Sequence, residues 1–368
     1  MVRAWVRTWL GTLAGALLLL PTGHAVAAEE ALEPSLRARI IDTVATRISK
    51  AYVLPGAAQQ METALRERAA AHDYDTIRST RELCRKLTED LRSVSGDLHL
   101  EVIYQEKPGP QSAGAINGVG RTATEQAQAG RLSNFGFESV SRLAGNVGYL
   151  DLREFYAGEK GVETAAAAMT FLSHTDALII DLRENPGGAL SMNALLCTYL
   201  LGRKMIHLNG VRGREAGQVG ELWTMPLAPR IVYQGPVYLL TNRQTFSQAE
   251  AFAYQLQQLK RATLVGERTG GGAHLVEFEP IAEHVVLRLP KGRFVHPVTQ
   301  TNWQGVGVSP DVETNSEDAL SKAYVLALTA LQRQNTNPEL SPVYGLLVKR
   351  AQRDTETTQK AVGPTSSR

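Results

Sequence analysis

Cysteine is nearly missing from this chain. Only Cys84 and Cys197 occur among 368 residues, so no disulfide framework can carry the fold. Each lies in a helical apolar pattern, Leu83 and Leu87 beside one and Leu195, Leu196 and Leu200 beside the other. Two buried free thiols are therefore expected, with a bridge between them as the alternative in an oxidising compartment. An excess of one charge is also missing: 39 basic against 37 acidic residues leave a formal net charge of +2. No basic run or aromatic-interleaved basic stripe appears, which argues against a nucleic-acid partner. Nowhere does an apolar run reach the roughly eighteen uninterrupted residues of a membrane-spanning helix, so stable membrane insertion is not expected. There is no H-E-x-x-H, paired cysteine or carboxylate cluster to suggest a metal. The glycines from Gly266 to Gly272 lack the following lysine and hydroxyl residue of a phosphate loop, and no cofactor is expected. Internal repeats are absent as well.

What is present begins with a leader. Arg3 and Arg7 precede a short apolar stretch from Leu10 to Leu20 broken only by Gly and Thr, and Ala25-Val-Ala27 offers the small-x-small pattern of a signal peptidase site. Residues 1–27 thus read as a cleavable signal peptide, and the mature protein is expected in the periplasm or secreted. Cleavage before Ala28 removes two arginines and no acidic residue, taking the formal net charge from +2 to 0. About 340 residues remain, enough for one large domain and a small one.

Residues 28–97 read as a small helical bundle domain. Ile40, Ile41, Val44 and Ile48 mark its first helix, Met61, Leu65 and Ala69 the second, and Leu83, Leu87, Leu91 and Val94 the third. Residues 98–144 read as a strand followed by a connecting loop, weakly patterned from Lys107 to Ser133. From Gly145 the pattern becomes strand-helix alternation: strands at Val147–Leu152, Ala177–Leu182, Val237–Thr241 and Thr263–Gly266, helices at Val162–Leu172, Leu190–Leu201 and Gln248–Leu259. That alternation predicts an α/β layer with parallel pairing over 145–333. The stretch from Asn209 to Ile231 is poorly patterned. Val285–Leu289 and Arg293–His296 read as a hairpin about Pro290-Lys-Gly292. Residues 334–368 read as a tail, disordered over its last fifteen residues.

Two strand-to-helix junctions carry the candidate chemistry. At the first, the apolar run Val237 to Leu240 leads through Thr241-Asn-Arg-Gln-Thr-Phe to Ser247, which opens a helical pattern. A helix N-terminus offers free N–H groups and partial positive charge, which favour an alkoxide or an oxyanion. Ser247-Gln-Ala-Glu250 also fits an S-x-x-E capping box, the plainer reading of the same residues. At the second junction, Ala177-Leu-Ile-Ile-Asp181 runs into Asn185-Pro-Gly187-Gly188. Paired glycines let a backbone approach a ligand and turn consecutive N–H groups outward, although a tight turn wants them too. Both helix N-termini could face one point at the carboxyl edge of a sheet, where open α/β sheets bind ligands.

Four ordered motifs make the pattern specific: Asp181-Leu-Arg-Glu-Asn-Pro-Gly-Gly188, Thr245-Phe-Ser-Gln-Ala-Glu250, Arg261-Ala-Thr-Leu-Val-Gly-Glu-Arg-Thr-Gly-Gly-Gly272 and Asn302-Trp-Gln-Gly-Val-Gly-Val-Ser-Pro-Asp311. Together they resemble the S41 family of serine peptidases over about 145 to 330, in the branch of the interphotoreceptor retinoid-binding protein modules and tricorn-like members. The resemblance implies a crotonase/ClpP-like α/β catalytic domain behind the helical bundle. It also implies Ser247 as nucleophile, with an oxyanion hole from the amides of Gly187 or Gly188 and of Gln248.

Processing members of the family take a lysine as base in the glycine-rich stretch. Here that position is Gly272. Tricorn-like members use an upstream histidine, and Ser95-Gly-Asp97-Leu-His99-Leu-Glu101 resembles that segment. Leu98, Leu100, Val102 and Tyr104 alternate as a buried strand face, which turns His99 away from them. The third member of the site falls on Gln304, where tricorn-like sequences have glutamate. An amide can orient His99 but supplies no charge to an imidazolium, so reduced efficiency is expected; Asp97 and Glu267 are candidate substitute carboxylates, although an ordinary surface or turn role is the plainer reading of each. The expected activity is peptide-bond hydrolysis through a Ser-His acyl-enzyme, on peptides or unfolded proteins. The alternative is a weak or inactive module that binds an apolar ligand or peptide. The roughly 45 residues between His99 and the first catalytic-domain strand are too few for a PDZ domain.

Overall fold

A computed structural model describes residues 31–106, 123–215, 217–225 and 231–361. The expected signal peptide at 1–27 lies outside them, as does the stretch from Lys107 to Thr122. In chain order the elements are α1 (Pro34–Ala51), α2 (Pro55–Ala70), α3 (Thr80–Ser95), β1 (Glu101–Tyr104), α4 (Ala123–Leu132), β2 (Phe137–Leu143), β3 (Val147–Leu152), α5 (Glu159–Leu172), β4 (Ala177–Asp181), α6 (Leu190–Leu201), β5 (His207–Gly213), β6 (Gln218–Trp223), β7 (Val237–Thr241), α7 (Gln248–Gln258), β8 (Ala262–Gly266), β9 (His274–Ala282), β10 (Val285–Val295), β11 (Val312–Glu313), α8 (Ala319–Gln334) and α9 (Ser341–Ala361).

The larger sheet has the order β11-β8-β7-β4-β3-β2. Every pair in it is parallel except β2 with β3. Strand alternation sorts its residues between two cores. Leu150, Ile180, Leu239 and Leu264 face α5, α6 and α7, while Val147, Ile179, Leu240 and Val265 face α8. Both faces are covered, which explains why these strands read as continuous apolar runs. The parallel strands end together at Asp181 and Thr241, so the two turns that follow are delivered to one edge.

The second sheet has the order β1-β10-β5-β6, with β9 also paired to β10. Its long strand β10 joins two cores. Val285, Leu287 and Leu289 pack with α1, α2 and α3, whereas Phe294 packs in the core of the larger sheet. Consequently the three N-terminal helices share a core with the second sheet, and Leu32 onward forms one compact unit.

Several expectations need correction. The hairpin turns at Glu283-His284, between β9 and β10, and not at Pro290-Lys-Gly292. Strand β10 runs through that tripeptide with a register shift, because proline lacks the N–H of a regular ladder but can sit at a bulge. The segment from Asn209 contains the β5–β6 pair, and the connection before Gly145 holds α4 and β2. Within the expected tail, Ser341–Ala361 form α9, which packs Tyr344, Leu347, Val348 and Ala351 beside α8, and 362–368 lie outside the described residues. Its polar composition concealed a single apolar stripe. Leu98, placed on a buried face by alternation, is exposed because β1 begins only at Glu101. Cys84 and Cys197 are both buried and form no disulfide with each other. No helix among the described residues is long and apolar enough to cross a membrane.

Candidate active site

The turn after β7 is held by its own polar side chains. Thr245 donates its hydroxyl to Leu182 O, and the Phe246 amide donates to Asn185 O. These bonds stitch the turn before α7 to the turn before α6. Ser247 then adopts φ 54° and ψ −116°, a sterically poor backbone for a residue with a Cβ. A half-buried serine held this way at the start of a helix is presented toward the neighbouring turn.

That neighbouring turn lies very close. Gly187 has φ 112°, and a Cβ there would sit 2.8 Å from Ser247 Cβ and 2.9 Å from Gln248 N. Only glycine permits both the angle and the approach. The Gly187 amide, however, donates to Asn185 Oδ1 at 2.9 Å, so it is not free for an oxyanion. Gly188 is different. The chain on either side bonds Phe155, through Phe155 N to Gly187 O and Ala189 N to Phe155 O, and the Gly188 amide makes no hydrogen bond among the described residues. The Gln248 amide, at the first position of α7, is likewise without one, while its side chain accepts from Asn193 Nδ2 at 3.0 Å. Of the expected oxyanion donors, Gly188 and Gln248 remain available, and Gly187 supplies the close approach.

Glu250 ties the nucleophile turn to the glycine strip. Its carboxylate accepts from the Ser247 amide at 2.9 Å, the Thr269 hydroxyl at 2.5 Å and the Gly271 and Gly272 amides at 2.7 Å each. The residue is fully buried. Burial pushes its pKa up to about 7, against the opposite pull of those four donors. The sequence suggested only a helix cap here, because the Gly271 and Gly272 partners lie over twenty residues downstream.

His99 closes the site from the other side. Helix α3 ends at Gly96 with φ 64°, and the Asp97-Leu-His turn that follows delivers His99 into a seam beside Phe246, ring centroids 4.6 Å apart. His99 is 4% exposed, so it faces the interior and not the solvent side of a strand. It lines, with Ser247, Gly187 and Gly188, a cavity of about 150 Å³. The ring occupies the space a side chain at position 272 would need: a Cβ on Gly272 would lie 2.6 Å from His99 Cε1. The Phe246 ring crowds the same space more closely still, so a side chain at 272 would require both rings to shift.

Neither ring nitrogen of His99 has a hydrogen-bond partner among the described residues. Burial drives its pKa down to about 3, with the Asp97 charge pulling upward and Arg288 downward. Gln304 makes no hydrogen bond to it among the described residues. The Gln304 Oε1 instead accepts the Ala273 amide at 2.7 Å, because the neighbouring Trp303 anchors the loop by donating Nε1 to Gly272 O. Glu267 is also remote in its bonding, accepting the Ser316 amide. Sequence reasoning passed over Arg288, which lines the cavity and donates to His99 O at 2.6 Å. No signal near it in sequence marked it out. Among the described residues no group of three or more His, Cys, Asp or Glu is arranged to hold a metal ion.

The chain that carries this site is similar to known proteins in sequence and in fold. Residues 146–314 match the profile of peptidase family S41. Residues 30–134 match that of the N-terminal domain of Peptidase_S41 in eukaryotic IRBP. The chain belongs to peptidase family S41. As an S41 chain it is similar to a carboxy-terminal-processing protease of Bartonella bacilliformis, 30% identical over 177 residues that make up 46% of this chain and 39% of that protein. It is similar also to the tricorn protease of Thermoplasma volcanium, 26% identical over 204 residues, 52% of this chain and 18% of that one. Both matches thus take in less than half of the relative's length. In fold it is similar to a lipoprotein from Streptococcus agalactiae, with TM-score 0.53 at 15% identity over 81% of this chain and 98% of the other. The tricorn protease structure gives TM-score 0.52 at 15% identity, over 86% and 37%. The S41 fold here has mixed α/β sheets and a helical N-terminal region.

Proposed function

We propose that this chain is a serine peptidase of the periplasm or the extracellular space, cleaving peptides or unfolded proteins through an acyl-enzyme on Ser247. The observation that carries the reading is the convergence, in one cavity, of the strained Ser247, the buried His99 and the glycine turn at 187–188. In the first half-reaction Ser247 Oγ attacks the scissile carbonyl and His99 takes the hydroxyl proton. Carbonyl π electrons move onto oxygen, where the amides of Gly188 and Gln248 receive the charge. Collapse breaks the C–N bond, and His99 passes its proton to the leaving amine. Water then repeats the sequence on the ester and regenerates Ser247. Support for His99 as base, over a lysine, comes from the contact between its ring and Gly272.

The decisive experiment is intact-mass spectrometry after treatment with a fluorophosphonate. A single adduct that vanishes in Ser247→Ala and falls steeply in His99→Ala is expected. Wild-type protein that never labels overturns the reading. The lack of any partner on the His99 nitrogens favours a second reading, a module that binds an apolar ligand or peptide without turnover. Binding that survives Ser247→Ala and His99→Ala together, in an unlabelled protein, would establish it.

A further inference from the structure

A serine-histidine pair needs a third group to hold the imidazole and to offset the positive charge it gains. The residue expected there, Gln304, is bonded elsewhere. The structure places a different group against the ring. Asp97 is 1% exposed, and its Oδ1 accepts the His99 backbone amide at 2.9 Å while lying 3.9 Å from His99 Nδ1. Its other oxygen, Oδ2, is fixed by the Tyr52 hydroxyl at 2.9 Å and by His274 Nδ1 at 2.7 Å. Resting on the Ser247 acyl-enzyme reading, we propose that Asp97 is the positioning carboxylate of the site, with Tyr52 and His274 as its anchors, and that Gln304 holds the Ala273 loop instead.

The geometry supports this in three steps. First, the carboxylate is oriented from both sides. One oxygen is saturated by donors from the residue after α1 and the first residue of β9, which leaves Oδ1 facing His99. Second, the remaining gap is small. The 3.9 Å separation exceeds a hydrogen bond, so the ring must turn toward Oδ1 for the bond to form, as catalytic hydrogen bonds often tighten only when substrate is bound. With Nδ1 turned to Asp97, Nε2 lies at the opposite corner of the ring, available to the Ser247 proton. Third, the group carries charge. Burial opposes ionisation of Asp97, but the hydrogen bond and charge of His274, with a contribution from His99, hold its pKa below the usual carboxylate range. An anion is therefore present beside a histidine that burial otherwise keeps neutral. When Ser247 Oγ–H gives its proton to His99, the imidazolium forms against that anion. The proton then leaves with the amine, and Asp97 itself gains and loses none.

The charged and titratable groups around the pair come from four elements: Tyr52 after α1, Arg92 on α3, His274 on β9 and Arg288 on β10. Arg288, His274 and Arg92 all oppose protonation of His99, so Asp97 is the group that favours it.

The test is the rate of Ser247 labelling by a fluorophosphonate, followed by intact mass against pH, for wild type, Asp97→Asn, Asp97→Glu and Gln304→Ala. Asp97→Asn is expected to slow labelling on the order of 10²–10⁴-fold, the range for this change in Ser-His-Asp enzymes and for a lost acid-base contribution. The acidic limb of its profile should also move to lower pH, because a histidine without its anion holds a proton less well. Asp97→Glu should recover part of the rate, and Gln304→Ala should lose far less than Asp97→Asn. Circular dichroism and thermal unfolding of each variant separate lost chemistry from lost structure, since an unfolded fraction lowers the amplitude without moving the limb. Labelling of folded Asp97→Asn within threefold of wild type, or a Gln304→Ala loss equal to that of Asp97→Asn, overturns the proposal while leaving the Ser247 reading intact. Wild-type protein that never labels removes both.

Discussion

His99 is the titratable group with the most to reveal about stability. Burial holds its folded pKa near 3, whereas the unfolded chain should titrate near the ordinary 6.5. Between those values the unfolded state binds a proton that the folded state refuses, so stability rises with pH across that window and is lost as pH falls through 6.5. Each pH unit within it is worth about 1.4 kcal/mol. From pH 6.5 down to 4.5 the wild type should lose roughly 2–3 kcal/mol through this one residue. The perturbation is His99→Gln, which removes the titration while keeping a polar side chain of similar size. Urea unfolding free energies for both proteins, at half-unit intervals between pH 4.5 and 7.5, give a difference curve in which groups common to both cancel. His296, whose pKa burial also lowers, is among those that cancel. The expected curve falls toward low pH in favour of the variant. A difference independent of pH would refute the claim that His99 is buried as the neutral base.

Glu250→Gln should behave oppositely. Its folded pKa is raised by burial to about 7, so its contribution is fully present below the unfolded value near 4.5 and is lost as pH rises through 7. The wild-type-minus-variant difference should therefore decline by roughly 3 kcal/mol over that interval in urea titrations. The variant's amide NH₂ would also face N–H donors that the carboxylate accepts, an offset of about 2–4 kcal/mol, and labelling of Ser247 should weaken with it. Gly187→Ala should cost at least about 2 kcal/mol and more than tenfold in labelling rate, because φ 112° and the 2.8 Å approach to Ser247 both exclude a Cβ. Gly56→Ala, in the first turn of α2 with nothing within 4 Å of the added methyl, serves as its control and should stabilise by about 0.5–1 kcal/mol in thermal melts.

The sequence by itself determined the local periodicities and the order of the junctions. Val237–Thr241 and Leu190–Leu201 could be bounded to the residue, since a buried parallel strand and a fully covered helix are apolar along their whole lengths. Ser247 and Gly187-Gly188 were legible because a strained turn and a close backbone approach each demand particular residue types. Helix α9 was not, because its apolar stripe has meaning only against α8. Nor was the hairpin at Glu283-His284, where Pro290 and Gly292 signalled a turn that the long ladder of β10 absorbs as a bulge. Tertiary structure alone decided which polar groups meet. Asp97 reaches Tyr52 and His274 across 45 and 177 residues, Glu250 reaches Gly271 and Gly272 across the sheet edge, and Gln304 turns to Ala273. Residue type limits what a side chain can donate or accept, but the partner is chosen by how the sheets bring distant turns together.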